Sequence, residues 1–344
     1  MKALVKYAPG EGNVALMDMP EPACGGNQVK IDVSFCGVCG TDLHVMHDTF
    51  RNYPPVILGH EFAGTVVEVG KDVTRVAPGD RVTVLPASAV ICGQCSYCRA
   101  GNFMFCPNRR GMGHGVNGAF ARFAVVRQDQ AYKIPEGFDM AESAVSEPFA
   151  AAVQAVEELT QVRLGDIALV SGPGPIGLLC LKLLVAEGIH TIVAGAATDA
   201  PRLEMARRIG AAHVVNIGEQ NLLEAVKEIT KGAGVDVSLE CAGHPDSVRN
   251  CIEAVRPLGR YTQVGICGKD ILFPMDRIFF KQLTVVGSVA YTAKTWDRVM
   301  RIFEQGKVRL NDLISDRLPL SDWKTGFDLC AEKKAVKVLI SPEA

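Results

Sequence analysis

The chain has 344 residues, 22% of them charged, and a formal net charge of −2 at pH 7. This length favours about two domains, on a prior of ~100–200 residues each. The near-neutral charge and the absence of a basic run argue against nucleic-acid binding. No apolar stretch reaches the ~18 residues of a transmembrane helix, so no membrane span is predicted. The first residues lack an apolar core of signal-peptide length, and we therefore expect a cytoplasmic globular protein.

The first half of the chain predicts a mainly antiparallel β domain. Short runs of alternating or β-branched residues are bounded there by Gly and Pro, which is typical of strands. The predicted strands span residues 28–34, 64–70, 80–84 and 121–126.

A dense cysteine cluster lies in this half, with Cys92, Cys95, Cys98 and Cys106 inside a fifteen-residue stretch. Thiolates packed this closely need a shared cation, and zinc is the expected one. A closed Cys₄ shell leaves no position for substrate, so the site is predicted to be structural. The alternative, disulfide pairing, would need an oxidising compartment. Other cysteines, such as Cys180, lie isolated in apolar segments, as reduced cysteines do.

A second set of metal-ligand side chains lies upstream of that cluster. Its members and their polar neighbours are Cys39, Thr41, Asp42, His44, His60 and Glu61. Together they offer the mixed sulfur, nitrogen and oxygen donors that a catalytic zinc uses while keeping one position open. Taken one at a time, Cys39, His44 and His60 are more typical of packed core residues.

After residue 150, strand-like and helix-like segments alternate, which predicts a parallel sheet covered by helices on both faces. The predicted strands span residues 167–171, 191–194, 213–216, 235–240 and 260–264. The predicted helices begin near residue 176 and span 201–209, 222–230 and 248–255. A helix over 296–304 and a strand over 336–340 are expected to return to the first domain.

The chain is therefore predicted to be α/β, with a discontinuous first domain. The predicted divisions are 1–150 with a zinc lobe at 90–110, then 151–288, then a return segment at 289–344.

A G-x-G-x-x-G sequence, formed by Gly172, Gly174 and Gly177, joins the first strand and helix of the second region. Alone the pattern is weak and is compatible with a structural turn, but this strand–turn–helix context is typical of dinucleotide binding. Gly172 would permit the tight turn, Gly174 the approach of the pyrophosphate, and Gly177 close helix–sheet packing. The helix N-terminus, which begins at Pro175 and Ile176, would receive the pyrophosphate charge.

The residues that would choose between NAD and NADP give opposing signals. An acid that binds the adenosine ribose is expected ~20 residues after the glycines, where Ala197 stands. Asp199 comes slightly late, and Thr198 and Arg202 are suited to hold a 2′-phosphate. The missing acid favours NADP or weak discrimination, whereas Asp199 would repel a 2′-phosphate, so both cofactors remain open.

These motifs, in this order and approximate spacing, resemble the zinc-dependent medium-chain alcohol dehydrogenases over essentially the whole chain. The matching segments are 37–44, 59–64, the four-cysteine lobe, 146–148 and the glycine turn. The chain is most similar to the sorbitol and polyol dehydrogenase branch, which includes threonine and butanediol dehydrogenases. Glu147-Pro148 stands where the alcohol dehydrogenase branch proper has a cysteine ligand.

The resemblance implies a GroES-like mainly β catalytic domain and a Rossmann doubly wound nucleotide domain. It implies reversible oxidation of a secondary alcohol group, in a polyol, sugar alcohol or vicinal diol, to a ketone by hydride transfer to NAD(P)⁺. Two zinc ions per chain are expected, one catalytic and one structural, with a small-molecule alcohol as substrate. No nucleic-acid or membrane partner is expected, and the family implies a homo-oligomer, either a tetramer or a dimer.

The resemblance also assigns roles to single residues. Cys39 and His60 would bind the catalytic zinc, Glu61 would bind it or exchange with water, and Glu147 would be a ligand or hydrogen-bond partner beside it. Thr41 would contact the substrate hydroxyl and pass its proton towards His44, and Asp42 would orient the His60 imidazole. Cys36 falls at a non-ligand position and is expected to be structural. The cofactor-binding candidates are Gly172, Gly174, Pro175, Ile176, Gly177, Thr198, Arg202, Val264 and Ile266.

The substrate itself is left open. Sorbitol dehydrogenases of the family carry an arginine before a tyrosine in the segment corresponding to 287–292, and here Ala290 precedes Tyr291. A shorter polyol, a vicinal diol or another secondary alcohol therefore fits at least as well as sorbitol, with Tyr291 and Lys294 as possible polar contacts. Threonine or phosphorylated-polyol dehydrogenase activity is an alternative within the family. A non-catalytic cofactor-binding sensor is the alternative of another class, although a mere binder would need no proton path through Thr41 and His44.

Overall fold

A computed structural model of the protein describes residues 1–342. The chain forms two compact units, one comprising Met1–Glu147 and Thr292–Ala344 and the other Pro148–Tyr291. The sequence-based boundaries lie after residues 150 and 288. Within the described residues, no helix combines the length and the apolar character needed to cross a membrane.

The strands are β1 Lys2–Lys6, β2 Val14–Asp18, β3 Gln28–Gly37, β4 Val56–Ile57, β5 Glu61–Val69, β6 Arg81–Val84, β7 Phe123–Arg127, β8 Ala131–Lys133, β9 Ile167–Ser171, β10 His190–Gly195, β11 His213–Asn216, β12 Val235–Glu240, β13 Val255–Gln263, β14 Thr284–Gly287, β15 Ile314–Pro319 and β16 Lys337–Ser341. The helices are α1 Gly40–Met46, α2 Ser96–Arg99, α3 Met140–Ala144, α4 Ser146–Val153, α5 Pro175–Ala186, α6 Ala200–Ile209, α7 Leu222–Ile229, α8 Pro245–Ala254, α9 Met275–Lys281, α10 Ala293–Glu304 and α11 Trp323–Ala331.

The first unit is built on a seven-stranded sheet in the order β15-β16-β3-β5-β6-β8, with β7 also pairing with β3. All of these pairs are antiparallel except β15 with β16. The side chains of Val29, Ile31 and Val33 alternate along β3 and are buried, as expected where one face of a strand covers a core. A second sheet of order β2-β1-β4 completes this mainly antiparallel unit, which confirms the predicted β domain.

The end of the chain belongs to the core of this first unit. β16 pairs with β3, and α11 contributes Trp323 and Phe327 to the cluster around Phe62 and Phe120. Glu142, which is fully buried on α3, accepts hydrogen bonds from the Arg309 guanidinium and from the backbone N–H groups of Leu310 and Asn311. Residues 292–342 are therefore held by both apolar packing and a buried carboxylate.

The second unit is a six-stranded sheet in the order β11-β10-β9-β12-β13-β14, parallel throughout. Numbered from its first strand, the order is 3-2-1-4-5-6, that of doubly wound dinucleotide-binding sheets. Strands such as β9 and β10 are nearly continuous apolar runs because helices cover both of their faces. The predicted Rossmann architecture is confirmed.

Two segments of the second unit begin three or more residues before the predicted elements. α8 begins at Pro245 and not at residue 248, because Pro is favoured in the first helical turn and the His244 imidazole accepts the Asp246 N–H. β13 begins at Val255 and not at residue 260, because its pairing with β12 continues across an irregularity and resumes at Arg260.

Candidate metal centres and dinucleotide site

The four cysteines of the lobe converge. The sulfur atoms of Cys92, Cys95, Cys98 and Cys106 all lie within 4.8 Å of one another, and Cys92 and Cys98 are 3.9 Å apart. A tetrahedron with Zn–S bonds of ~2.3 Å has edges of ~3.8 Å, so the spacing fits zinc. A disulfide would bring two sulfurs to ~2.05 Å, and the four thiols are free.

The local backbone of the lobe is arranged for thiolates. The N–H of Cys95 points at the sulfur of Cys92 (3.3 Å), that of Cys98 at Cys95 (3.4 Å), and that of Cys92 at Cys106 (3.4 Å). Hydrogen bonds from the backbone N–H groups of Gln94 and Cys95 lower the pKa of Cys92 to about 6. The chain thus supplies the donor set of a closed structural zinc site.

The second predicted set also converges. Ligand atoms of Cys39, His60 and Glu61 lie within 4.8 Å of one another. His60 Nδ1 and Glu61 Oε1 are buried and have no hydrogen-bond partner, which is unusual for buried polar atoms and fits side chains that bind a metal. Sulfur, imidazole and carboxylate donors together suit a zinc site that keeps an exchangeable position.

Two predicted neighbours of this centre lie outside the three-ligand group. Burial raises the pKa of the Cys36 thiol well above its usual value, and its sulfur is not a member of the group. Glu147 lies half-buried in the first turn of α4 and is not a member either. Its role as a direct ligand or as a partner of bound water stays a prediction.

Asp42 ties together the two loops that carry the ligands. Its carboxylate accepts the N–H of Cys39 at 2.9 Å and that of Gly59 at 3.3 Å. Gly59 has φ +89°, and a Cβ there would lie 2.7 Å from the Cys36 sulfur, so this position requires glycine. His60 Nδ1 is 3.6 Å from Asp42 Oδ1, which is too long for a good hydrogen bond. Asp42 is therefore placed to orient His60 mainly through the backbone of its loop.

Glu61 forms a buried ion pair with a lysine that the sequence analysis missed. Lys337 Nζ on β16 lies 2.6 Å from Glu61 Oε2 and 3.1 Å from the Val38 carbonyl oxygen, and the two side chains are 3% and 1% exposed. Burial opposes the ammonium charge, but the Glu61 carboxylate and Cys39 outweigh it and raise the pKa of Lys337. The available signal was a lone lysine in the apolar run 336–340.

Thr41 and His44 occupy one face of α1, because residues three apart on a helix are neighbours. Thr41 is half-buried and His44 is exposed. His44 Nδ1 lies 3.0 Å from the Thr49 hydroxyl oxygen. The role of Thr41 and His44 as a proton path stays a prediction.

The glycine turn in the second unit has the predicted steric roles. Gly172 has φ +100°, and a Cβ on it would lie 2.6 Å from the Ala242 nitrogen. A Cβ on Gly177 would lie 2.0 Å from the Gly172 carbonyl oxygen, whereas one on Gly174 would face open space. Gly174 caps α5, with Pro175 and Ile176 in its first turn, so the open side is at the helix N-terminus.

In the segment after β10, the residues proposed to contact the adenosine ribose of the cofactor differ in their exposure. Ala197 and Thr198 are exposed, whereas Asp199 and Arg202 are buried. Asp199 Oδ2 accepts the Ala196 N–H at 3.2 Å, and Asp199 Oδ1 lies 3.9 Å from Arg202 Nη1. Asp199 is thus already engaged by the protein.

The other two cofactor candidates follow β13. Val264 donates its N–H to the Glu240 carbonyl oxygen at 2.9 Å, and Ile266 is 83% exposed.

Comparison with known proteins extends these observations to the whole chain. The alcohol dehydrogenase GroES-like domain family matches residues 25–136, and the zinc-binding dehydrogenase family matches residues 175–305. A sorbitol dehydrogenase from Halalkalibacterium halodurans is 37% identical over 343 residues, 99% of each chain. A D-arabitol-phosphate dehydrogenase from Enterococcus avium is 33% identical over 99% of this chain and 97% of that protein. A Sinorhizobium meliloti 1021 protein solved with NADP has a TM-score of 0.91 at 31% identity, over 99% of both chains.

These similarities cover both units, and with them the metal-ligand segments and the glycine turn. The predicted resemblance, the zinc requirement and the use of NAD or NADP are therefore confirmed. The chain belongs to the zinc-dependent medium-chain alcohol dehydrogenases, a family of NAD(P)-dependent oxidoreductases.

Proposed function

We propose that this enzyme oxidises a secondary alcohol group of a polyol, sugar alcohol or vicinal diol to a ketone, with hydride transfer to NAD(P)⁺. The observation that carries the proposal is the convergence of Cys39, His60 and Glu61 into an open mixed-ligand centre on a chain that also holds a doubly wound nucleotide unit. A purely structural metal would not require the exchangeable ligand position that this mixed set of donors favours.

The chain's own residues supply positioning and a proton path. When bound, zinc supplies Lewis-acid polarisation of the substrate oxygen. Thr41 is proposed to accept the substrate hydroxyl's hydrogen bond, and His44, which is on the same face of α1 and exposed, is proposed to pass the proton to solvent. Asp42 joins the loops that carry Cys39 and His60 through its hydrogen bonds, and Lys337 donates a hydrogen bond to one carboxylate oxygen of Glu61. Glu147 is proposed to act beside the centre, as ligand or as hydrogen-bond partner of its water.

The substrate is proposed to be smaller than a hexitol, or to need fewer hydrogen-bond donors from the enzyme. Ala290, with φ +48°, offers no side-chain donor where the family's sorbitol dehydrogenases have an arginine. Tyr291 is buried, and Lys294 is exposed. The 33% identity to a D-arabitol-phosphate dehydrogenase favours a phosphorylated polyol as the second candidate.

NADP⁺ is proposed to be used at least as well as NAD⁺. The position expected for a ribose-binding acid is Ala197, and the one nearby acid, Asp199, is buried, accepts the Ala196 N–H and faces Arg202. Repulsion of a 2′-phosphate by Asp199 is therefore reduced, while Thr198 remains exposed to meet it. Ala197→Asp should lower the ratio of kcat/KM for NADP⁺ to that for NAD⁺ at least ~10-fold, the effect of one lost or repelled charged contact. An unchanged ratio would contradict this assignment.

The reaction is tested with initial rates of nicotinamide reduction on zinc-replete protein. The panel comprises sugar alcohols, vicinal diols, simple secondary alcohols, polyol phosphates and L-threonine, each with NAD⁺ and NADP⁺. We expect chelator-sensitive rates with short polyols or vicinal diols. Rates only with L-threonine, or none with any alcohol, would overturn the proposal.

We also propose that the enzyme is a homo-oligomer that uses the outer edge of β14. Among the described strands, β14 pairs only with β13, which leaves one row of its backbone groups open. Phe279 and Phe280 on the neighbouring α9 are 77% and 78% exposed, and Val285 on the strand is also exposed. Phe279→Ser with Phe280→Ser should shift the mass measured by light scattering towards that of one chain. An unchanged mass would contradict this interface.

A cytoplasmic location is proposed as well. It is supported by the twelve free cysteines, four of which form the predicted zinc lobe, because such thiols persist in reducing compartments.

A further inference from the structure

A fully buried acid lies at the centre of the second unit and has no part in the proposed hydride-transfer chemistry. Glu240 is the last residue of β12, where its neighbours in the sheet are Ser171 on β9 and Gln263 on β13. Its position is therefore at the carboxyl end of the parallel sheet, the edge at which doubly wound folds bind their ligands.

The Glu240 carboxylate accepts hydrogen bonds from four neutral groups. The donors are the N–H of Ala242 at 2.9 Å, the N–H of Gly243 at 3.0 Å, the Ser247 hydroxyl at 2.6 Å and the Gln263 side-chain amide at 2.7 Å. Both carboxylate oxygens take part. An ionised carboxylate has only acceptor sites, so it can satisfy all four donors at once.

Through these contacts the carboxylate joins three loops. The first is the glycine turn, reached because the Ser247 hydroxyl is also 2.7 Å from the Ser171 hydroxyl. The second is the loop 241–244, which contains two of the donors. The third follows β13: Gln263 also donates to the Gly265 carbonyl oxygen at 2.6 Å, and the Glu240 carbonyl accepts the Gly265 N–H at 2.8 Å.

The three loops approach too closely for side chains. A Cβ on Gly172 would lie 2.6 Å from the Ala242 nitrogen, and one on Gly243 would lie 2.4 Å from the Ile266 carbonyl oxygen. A Cβ on Gly265 would lie 2.3 Å from the Gly243 nitrogen and 2.8 Å from Glu240 Oε2. Backbones packed this tightly transmit a displacement of the central carboxylate to both the glycine turn and the Val264–Ile266 loop.

We propose that Glu240 is a positioning residue for the dinucleotide, fixing the glycine turn and the Val264–Ile266 loop at the separation that one bound cofactor must bridge. The inference rests on the proposed binding of cofactor at these two loops. Glu240 would act through preorganisation. A ligand that contacts both loops at once gains affinity when neither loop has to be ordered on binding. A ligand that contacts only the glycine-turn side gains much less from Glu240.

The decisive variant is Glu240→Gln, which keeps the shape of the side chain and replaces one acceptor oxygen by an NH₂ donor. Since both oxygens face donors, either orientation of the amide opposes an N–H or O–H group. Binding of NADP⁺, NAD⁺ and 5′-AMP, which is the shared adenosine half, is measured by calorimetry on the full zinc-replete protein. Glu253→Gln on α8, an acid paired with Arg277 outside this network, is the matched control.

We expect the Kd of the dinucleotides to rise at least ~10-fold in Glu240→Gln, as for loss of a buried hydrogen-bond network, with 5′-AMP changed less than ~3-fold. The control should bind all three ligands as the wild type does. Equal losses for the dinucleotides and 5′-AMP, or no loss for either, would overturn the inference, because general loosening of the unit predicts one of those results.

Ser247→Ala is the milder second variant if Glu240→Gln does not fold. It removes one donor and the link to Ser171, and it should weaken dinucleotides by a smaller factor, again with 5′-AMP spared. Dinucleotide binding unchanged from the wild type would count against Glu240. Turnover of the wild type in the same preparation reports separately on the proposed reaction.

Discussion

The cysteine lobe and the Cys39 centre belong to the same unit, yet they are assembled over very different lengths of chain. The lobe gathers four sulfurs from one fifteen-residue loop, and their hydrogen-bond donors come from that loop too. The Cys39 centre takes Cys39 from the N-cap of α1, His60 from the residue before β5 and Glu61 from the first residue of β5, and Glu61 is paired with Lys337, 276 positions away. A local, saturated site suits a structural role, whereas a site assembled from distant elements can keep an unsaturated ligand position for chemistry.

Loss of a ligand from the Cys39 centre should have the largest effect. Cys39→Ser is expected to lower kcat by about three orders of magnitude or more, because the metal's polarisation of the substrate is lost. Bound zinc, measured by atomic emission, should fall by one equivalent per chain, and dinucleotide affinity should stay within ~2-fold of the wild type.

Cys36→Ser is the matched control for that change, since Cys36 is a buried thiol outside the three-ligand group. It should keep both zinc ions and most of its turnover. Turnover of Cys39→Ser at wild-type rate would remove the assignment of this centre as catalytic.

The next largest effect should come from removing Lys337, the buried ion-pair partner of Glu61, and it is an effect on the stability of the fold. Lys337→Met leaves a buried carboxylate without its cation and is expected to lower the free energy of unfolding by about 3 kcal/mol, the usual cost of removing one partner of a buried pair. The double variant with Glu61→Gln should recover part of that loss, which urea denaturation of the metal-free proteins can measure. Strictly additive losses would show that the two side chains are not coupled.

The difference between the two centres also explains what the sequence could predict. Zinc in the lobe follows from cysteine spacing alone. The bounds of β11 and β12 match the predicted 213–216 and 235–240, and each segment carries two of the β-branched valines that are typical of strands. The Cys39 centre was found from ligand types and from the family resemblance.

Two buried charged residues were missed. Lys337 has no local signal beyond a charged residue in an apolar strand, because its partner Glu61 lies 276 positions away. Three of the four donors to Glu240 lie within seven residues of it and only the Gln263 amide is more distant, but no sequence pattern marks a carboxylate that joins these loops. β13 was cut short because Pro257 and Gly259 read as a break, yet its pairing with β12 spans them through an irregular register, with Leu258 at φ +64°. Tertiary contacts override local propensity at such positions.

The lobe should show a smaller effect of a different kind. Cys95→Ser removes one sulfur of the four, so one zinc equivalent should be lost and the Tm should fall by roughly 3 °C, as for a loss of ~2 kcal/mol in a chain of this size. The kcat of the protein that remains folded should stay within ~3-fold of the wild type, because these ligands do not contact substrate. A fall in kcat as deep as that of Cys39→Ser would erase the distinction between the two centres.

The smallest expected effect lies at the exposed end of the proton path. His44→Gln should lower kcat by about tenfold at neutral pH, less than a general acid or base in direct contact with substrate would, because solvent can replace an exposed side chain. The loss should be partly rescued by added imidazole in the rate assay. The same substitution at exposed His47, which lies beyond the C-terminus of α1, serves as the control and should leave kcat unchanged.

The division of labour between the two centres is tested most directly by following zinc content and initial rate in the same aliquots during dialysis of the wild type against a chelator. We predict that the rate falls in proportion to the first metal equivalent removed from the Cys39 centre and reaches zero while about one equivalent per chain, held by the four cysteines, is retained. A rate that persists after that equivalent is lost, or that falls only with the zinc of the lobe, would contradict the account.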